Sequence, residues 1–440
     1  MPKVFITTLG CKVNQFESAS FTTGFEEAGL QVVGNQEKAD IVVINSCAVT
    51  AAAGAQSRQL LRKMARDNPQ AKIIFTGCYA ELAADRLSEE GGLAGRDFAI
   101  IGNSKKDDLV KTALGSIAGE NNALGKIGEA TKICSLPIQR FNNRVRAYLR
   151  IQDGCESYCS YCIVPYTRGP SRSLPLQAVL RQAEIFAAAG HREIVLTGIH
   201  IGNYGKDLQG REDLLTLLDS LTRATPQVGY RISSLEPTEI TDGLLELMAE
   251  RKNLLPHLHI PLQSGNDEIL QKMNRRYSTA TYQRIVEKCN ARIADLAVGI
   301  DMLAGFPGES EDHFNSAFNF LRALEFSYLH VFPYSIRPGT PAAKFAGQVE
   351  KRKKEQRVAK LRKLSDDKRQ SFYKRQLGRK VRVLVETGPD SDGLLKGYTD
   401  NYVAVRFAGD LSLRGQHVRV KLSHLMKAYV QGEYLGPDTR

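Results

Sequence analysis

No apolar run in this chain reaches the roughly 18 residues that a membrane-spanning helix needs, which excludes a bilayer-spanning protein. The opening MPKVFITTLG has none of the charged, apolar and small-residue sections of a secretory signal, so a cytoplasmic location and reduced thiols are expected. Internal repeats and low-complexity tracts are absent, which argues against a solenoid. Excess acid is missing too. The formal charge is +12, and from Lys351 to Lys380 fourteen Lys or Arg stand against three Asp or Glu, a net of +11. A basic segment beside a β-rich tail points to a polyanion such as RNA or DNA, the plain alternative being a solvated helix face.

What is present is a set of eight cysteines in 440 residues. In a cytoplasmic chain these read as metal ligands or catalytic groups before disulfides. Their meaning depends on the elements around them. Strands alternate with helices over the first section: KVFITTLG before a helix at Asn14 to Ala28, ADIVVINS before one at Gln56 to Arg66, and AKIIFTG before one at Glu81 to Ser88. Cys11, Cys47 and Cys78 each follow one of these strands. In a parallel sheet the carboxyl ends gather at one edge, so three cysteines distant in sequence are expected to meet there.

The section 116–140 has a weak pattern and reads as a linker. Six strand candidates follow: AYLRIQD, REIVLTG, YRISS, HLHIPL, AVGIDMLAG and YLHVFPYS. Helices at Leu176 to Ala189 and Thr281 to Arg292 lie between them, and the whole suggests a partial (βα)6 barrel with its chemistry at the strand carboxyl ends. From about Leu377 the runs KVRVLVET, DNYVAVRF and HVRVKLSHLM predict a small all-β barrel of a kind that often binds oligonucleotides. The fold class is α/β. The expected domains are 1–115, a linker at 116–140, 141–371 and 374–438.

Cys155, Cys159 and Cys162 form a second set within DGCESYCSYC, just past the first barrel strand. A buried helix face does not account for them, since Glu156, Ser157, Tyr158, Ser160 and Tyr161 supply no apolar stripe. Structural zinc is four-coordinate, and no fourth local ligand accompanies the triplet; His191 is the nearest histidine downstream and Cys134 lies upstream. Three thiolates on a cubane iron-sulfur cluster leave one iron open to a small molecule. Cys134 and Cys289 show no such placement and read as packing residues.

The spacing C-x3-C-x2-C after a strand, with an aromatic before the last cysteine, resembles the radical S-adenosylmethionine (SAM) superfamily. There the open iron chelates SAM. With the first cysteine set and the β-rich tail, the chain resembles the methylthiotransferases, on the segments TLGCKVNQFES, VINSCAVT, FTGCYA, DGCESYCSYCIVPYTRG, HLHIPLQSG, GFPGES and YSIRPGTPA. The last sixty residues resemble the RNA-binding TRAM module.

This resemblance implies two 4Fe-4S clusters, an auxiliary one on Cys11, Cys47 and Cys78 and a SAM-cleaving one on Cys155, Cys159 and Cys162, with Tyr161 beside the SAM adenine. It implies methylthio insertion at an unreactive C–H bond, one SAM methylating sulfur and another giving a 5'-deoxyadenosyl radical. Lys12, Val13 and Asn14, and Ser233 to Pro237, resemble the branch acting on N6-threonylcarbamoyladenosine at tRNA position 37, in the anticodon stem-loop. Activity on isopentenyladenosine, or a non-catalytic RNA-binding protein with structural metal, are the alternatives. An electron donor and a sulfur source are implied and stay unidentified. Gly198, Glu236 and Gln263, at other strand ends, are candidate contacts for SAM or substrate, or else plain turn and capping residues. GFPGES lacks the Lys and the spacing of a phosphate loop and reads as a turn.

Overall fold

In the computed structural model, residues 1–34, 39–90, 93, 95–115, 122–141, 144–210 and 212–438 are described. The first section is a six-stranded parallel sheet of β1 (Lys3–Thr8), β2 (Gln31–Val33), β3 (Ile41–Ser46), β4 (Lys72–Gly77), β5 (Phe98–Ile101) and β6 (Asn122–Ala123), in the order β2-β1-β3-β4-β5-β6. The strand β3, IVVINS, is buried along its whole length, because helices cover both faces of a parallel sheet. Those helices include α1 (Lys12–Glu27), α2 (Ala51–Asp67) and α3 (Cys78–Glu90). The middle one starts five residues earlier than its apolar pattern indicates, because the Thr50 hydroxyl accepts from the Ala53 amide at 3.0 Å and caps it.

Residues 116–121 of the expected linker lie outside the described residues. The rest of that segment adds β6 to the sheet edge and lays Cys134, Leu136 and Ile138 into the core shared by the first two sections. Cys289 is fully buried there as well, and burial pushes its thiol up to about 12, in keeping with a packing role.

The second section carries β7 (Arg146–Arg150), the short pair β8 (Gln152–Asp153) and β9 (Arg172–Ser173), then β10 (Glu193–Thr197), β11 (Gly229–Ile232), β12 (His257–His259), β13 (Ala297–Ala304) and β14 (Tyr328–Pro333). Two parallel three-stranded sheets, β7-β10-β11 and β12-β13-β14, are joined by a parallel bridge between Ser234 and His259. Among the described residues β14 is not paired back to β7, so the barrel stays open on one side.

A closed five-stranded barrel ends the chain: β15 (Lys380–Thr387), β16 (Leu394–Thr399), β17 (Ala404–Ala408), β18 (His417–Leu425) and β19 (Val430–Pro437). Two of these strands escape the sequence pattern because Gly397, Gly432 and Gly436 interrupt them. The small barrel is bolted to the amino ends of the open barrel's strands. Arg146 Nε lies 3.1 Å from Glu193 and 2.8 Å from Glu386, while Arg231 Nη1 donates to the Asp400 carbonyl at 3.0 Å. Tyr402 places its ring against both guanidiniums, 5.1 and 4.7 Å away.

The basic segment is one helix, Lys351–Lys374, running along β14. Only part of its charge is free. Arg357 is buried against Glu309 at 2.8 Å, Lys354 donates to the Tyr334 carbonyl at 3.2 Å, and Lys368 donates to that of Leu324 at 2.6 Å. Glu309 in turn accepts from the Gly305 amide at 2.6 Å, which makes GFPGES a shaped turn. Lys351, Arg352, Lys353, Lys360, Arg362 and Lys363 face solvent.

Candidate functional site

Cys11, Cys47 and Cys78 stand immediately past β1, β3 and β4, three neighbouring strands. The approach is close. Gly10 has φ +97, and a Cβ there would sit 2.7 Å from Cys47 Cβ, so only glycine lets the two cysteine loops meet. Cys11 keeps solvent-accessible surface although protein surrounds its thiol, and the other two cysteines are buried. Burial pushes Cys47 up to about 11; Cys11 is also raised by burial, against the pull of the Arg168 guanidinium.

Arg168 ends the short helix Val164–Arg168 that follows the second cysteine set, and it is fully buried. Its Nε donates to Cys78 Sγ at 3.3 Å, Nη1 to Glu17 Oε1 at 2.6 Å and to Asp153 Oδ2 at 3.2 Å, and Nη2 to Asn14 Oδ1 at 2.6 Å. Lys106 forms a second ion pair with Glu17. Burial alone would raise the Glu17 carboxyl, yet Arg168 and Lys106 hold it far below the usual carboxylate range. Asp153 lies two residues before Cys155, so one guanidinium ties the first cysteine set to the strand end that carries the second.

The second set occupies a loop opened by Gly154, whose φ of +79 a side chain would resist and whose Cβ would fall 1.8 Å from the Pro170 carbonyl oxygen. Cys155 Sγ lies 3.5 Å from His200 Nδ1, and His200 Nε2 lies 2.6 Å from Glu239 Oε1. Burial would raise the Cys155 thiol, but the bonds to His200 and Ser157 bring it below its ordinary value. His200 is raised to about 10, its bonds to Cys155 and Glu239 outweighing burial. Arg275 Nη1 donates to Cys159 Sγ at 3.4 Å while Nη2 holds Glu236. Burial pushes Cys162 up to about 12. A cavity of about 210 Å³ is lined by Ser157, Cys159, His200, Glu236, Glu239 and Arg275, among others.

The candidates at the other strand ends divide. Glu236 is in that cavity. Gly198 makes a tight turn against Gln152, whose Oε1 accepts from the Ile199 and His200 amides at 3.0 and 2.7 Å. Gln263 sits at φ +71, a left-handed conformation rare for its type and found most often at functional sites. Tyr161 packs beside Ile269, Met273, Phe306 and Tyr334. Sequence reasoning missed Arg168, Glu17, Lys106, His200 and Arg275. Glu17 and Arg168 lie inside recognised segments and His200 just past a strand end, and a titratable residue in such a place was the available signal.

The sulfur spacing bears on what each set could hold. Four ligands around one zinc at about 2.3 Å stand roughly 3.8 Å apart. Among the described residues the one group with three ligand atoms all within 4.8 Å of one another is His259, Asp301 and His330, and neither cysteine set meets that limit. Three thiols spread this way suit a cluster that offers each its own iron, and a guanidinium N–H reaches one sulfur of each set, Cys78 and Cys159. The residues present therefore fit iron-sulfur clusters.

Three family profiles match the chain: the uncharacterized protein family UPF0004 over residues 3–95, the radical SAM superfamily over 149–321 and the TRAM domain over 374–435. The threonylcarbamoyladenosine tRNA methylthiotransferase MtaB of Bacillus subtilis is 36% identical over 99% of this chain and 97% of that protein. Its Aquifex aeolicus counterpart is 34% identical over 95% and 99%. A tRNA-2-methylthio-N(6)-dimethylallyladenosine synthase of Fusobacterium nucleatum is 33% identical over 98% and 100%. In fold, the radical SAM methyltransferase TsrM of Kitasatospora setae superposes with a TM-score of 0.59 at 15% identity, covering 78% of this chain and 75% of that one.

Proposed function

This chain belongs to the tRNA methylthiotransferase family of the radical SAM superfamily, and from that premise we propose that it places a methylthio group at C2 of N6-threonylcarbamoyladenosine at tRNA position 37. It is a radical SAM sulfur-group transferase that uses SAM and an iron-sulfur cluster, and tRNA is its substrate. Among the described residues no helix is long and apolar enough to cross a membrane, and a cytoplasmic site of action goes with the substrate.

In this reading there are two 4Fe-4S clusters, one held by Cys155, Cys159 and Cys162 and an auxiliary one by Cys11, Cys47 and Cys78. The observation that carries it is the pair of three-thiol sets, each too widely spread for one ion, with Arg168 bonded to Cys78 of the first and to Asp153 just before the second. When bound, the cluster on Cys155, Cys159 and Cys162 would supply the electron that cleaves SAM, and the auxiliary one would supply or relay the sulfur. The chain's own groups prepare the site. His200, oriented by Glu239, helps to lower the Cys155 thiol below its ordinary value, and Arg275 donates to Cys159 Sγ while holding Glu236 on the cavity wall. Glu236, Gly198, Gln263 and Tyr161 are the proposed contacts for SAM.

The test is mass spectrometry of nucleosides in tRNA from cells lacking the chain and from cells re-supplied with it. Methylthio-threonylcarbamoyladenosine is expected to disappear and return. If the dimethylallyl-type nucleoside changes in its place, the substrate assignment goes to the other branch of relatives.

A second expectation concerns the basic helix. Reversing charge at Lys351, Arg352 and Lys353, all exposed, weakens tRNA binding and lowers the salt slope by up to about 2.7, near 0.9 for each phosphate no longer neutralised. SAM cleavage is unaffected. Lys354 is left out because it is committed to Tyr334. Unchanged affinity in a salt titration would make this face a solvated surface only.

A further inference from the structure

We propose that His259, Asp301 and His330 form a binding site for one divalent transition-metal ion, of the zinc class by its ligands, on the concave face of the open barrel. The site is separate from both cysteine sets and does not depend on the substrate reading above.

The three residues are far apart in sequence, and strand register brings them together. His330 on β14 is paired with Asp301 on β13, and His259 on β12 is paired with Gly299, two residues before Asp301. Alternate residues of a strand share a face. Ile300, Met302, Leu329 and Val331 enter the main core with Val358 and Leu361 of the basic helix, so Asp301 and His330 project the other way, into the concave side of the sheet. There His259 Nε2 lies 3.2 Å and His330 Nδ1 3.4 Å from the same oxygen, Asp301 Oδ1, and all three atoms are within 4.8 Å of one another.

Two imidazole nitrogens and one carboxylate oxygen suit zinc, and around one ion at about 2.0–2.1 Å such ligands stand roughly 3.3 Å apart. The two contacts to Asp301 already have that spacing. His259 is also held as a ligand would be: its Nδ1 lies 2.7 Å from Ser234 Oγ, an outer contact of the kind that orients a metal-bound imidazole. Its Nε2 is buried and, among the described residues, has no hydrogen-bond partner, because the approach to Asp301 lacks hydrogen-bond geometry. His257, on the same face two residues earlier, shows the ordinary arrangement, with Nε2 2.8 Å from the Tyr328 hydroxyl. A buried nitrogen without a partner is costly, and a cation between it and the carboxylate removes that cost. Three protein ligands leave a fourth position open. The His330 side chain is 54% exposed, on the strand that is not paired back to β7, and gives an ion its way in. The Asp301 carbonyl accepts from the Gln263 amide at 2.8 Å, which sets the site beside one of the proposed SAM contacts.

The test loads full-length protein with its clusters anaerobically, equilibrates it with buffered zinc, and measures metal content and zinc X-ray absorption. Wild type should take up about one zinc per chain with its iron unchanged, and the nearest shell should be nitrogen and oxygen at about 2.0–2.2 Å without sulfur at about 2.3 Å. His259→Gln, Asp301→Asn and His330→Gln should each remove that zinc and leave the iron in place. Ser234→Ala should weaken zinc binding about 10- to 100-fold. Because His330 is exposed, His330→Gln reports on the site even if a change at buried His259 misfolds. No zinc above background in wild type, or zinc with sulfur neighbours, overturns the proposal and leaves a cluster of histidines on one aspartate with no metal role. A folded His330→Gln or Asp301→Asn protein that keeps full zinc uptake overturns it as well.

Discussion

Cys155→Ala abolishes reductive cleavage of SAM and methylthio transfer together, by well over the roughly 10- to 100-fold typical of losing a residue that only supports a metal ligand. Cys155 is bonded to His200 and Ser157, so its removal takes away a proposed cluster ligand and the anchor of that hydrogen-bonded chain. Iron content after anaerobic reconstitution should fall from about eight to about four per chain, as one cluster of the pair is lost. Cys11→Ala should show the same fall in iron while retaining SAM cleavage and losing only transfer. This contrast separates the roles of the two sets. A Cys155→Ala protein that still produces 5'-deoxyadenosine, or a wild type that never exceeds about four irons, would defeat the two-cluster assignment.

Arg168→Met is expected to destabilise the protein by about 3–5 kcal/mol, the usual cost of removing one partner from a buried ion pair. Arg168 and Glu17 have no exposed side-chain surface, and without the guanidinium Glu17 keeps Lys106, the Asn45 amide at 3.1 Å and a 3.9 Å approach to Arg150. Asp153, Asn14 and Cys78 lose a donor at the same time. Arg168→Lys should recover little, because a single ammonium cannot reach four groups that a planar fork holds at once. The depressed carboxyl of Glu17 sets the sign with pH: its contribution is present at neutral pH and is lost only as strong acid protonates the folded form. Chemical denaturation and limited proteolysis between the first two sections give the readout. A midpoint shift worth less than about 1 kcal/mol would mean that the network is dispensable.

The two cysteine sets were legible in the chain for different reasons. Cys155, Cys159 and Cys162 are close in sequence, so their spacing alone speaks. Cys11, Cys47 and Cys78 are far apart, but short apolar runs alternating with helical stretches located three strands, and a parallel sheet must bring their ends to one edge. The groups that tune those thiols were not legible. Arg168 meets Cys78 across 90 positions and Asn14 across 154, and Arg275 meets Cys159 across 116. No local pattern encodes a meeting at that range.

The sequence by itself determined the α/β class, the three-part order and the six cysteines, because strand periodicity, helix periodicity and short motif spacing are properties of neighbouring residues. It also determined that the segment after Lys351 is basic. Only the tertiary structure decided which of those charges are free, since Arg357, Lys354 and Lys368 are spent on partners from other elements. Only the tertiary structure decided that His200 and Arg275 reach the sulfurs. Such facts depend on which side chains meet after packing, and packing is settled by the whole chain at once.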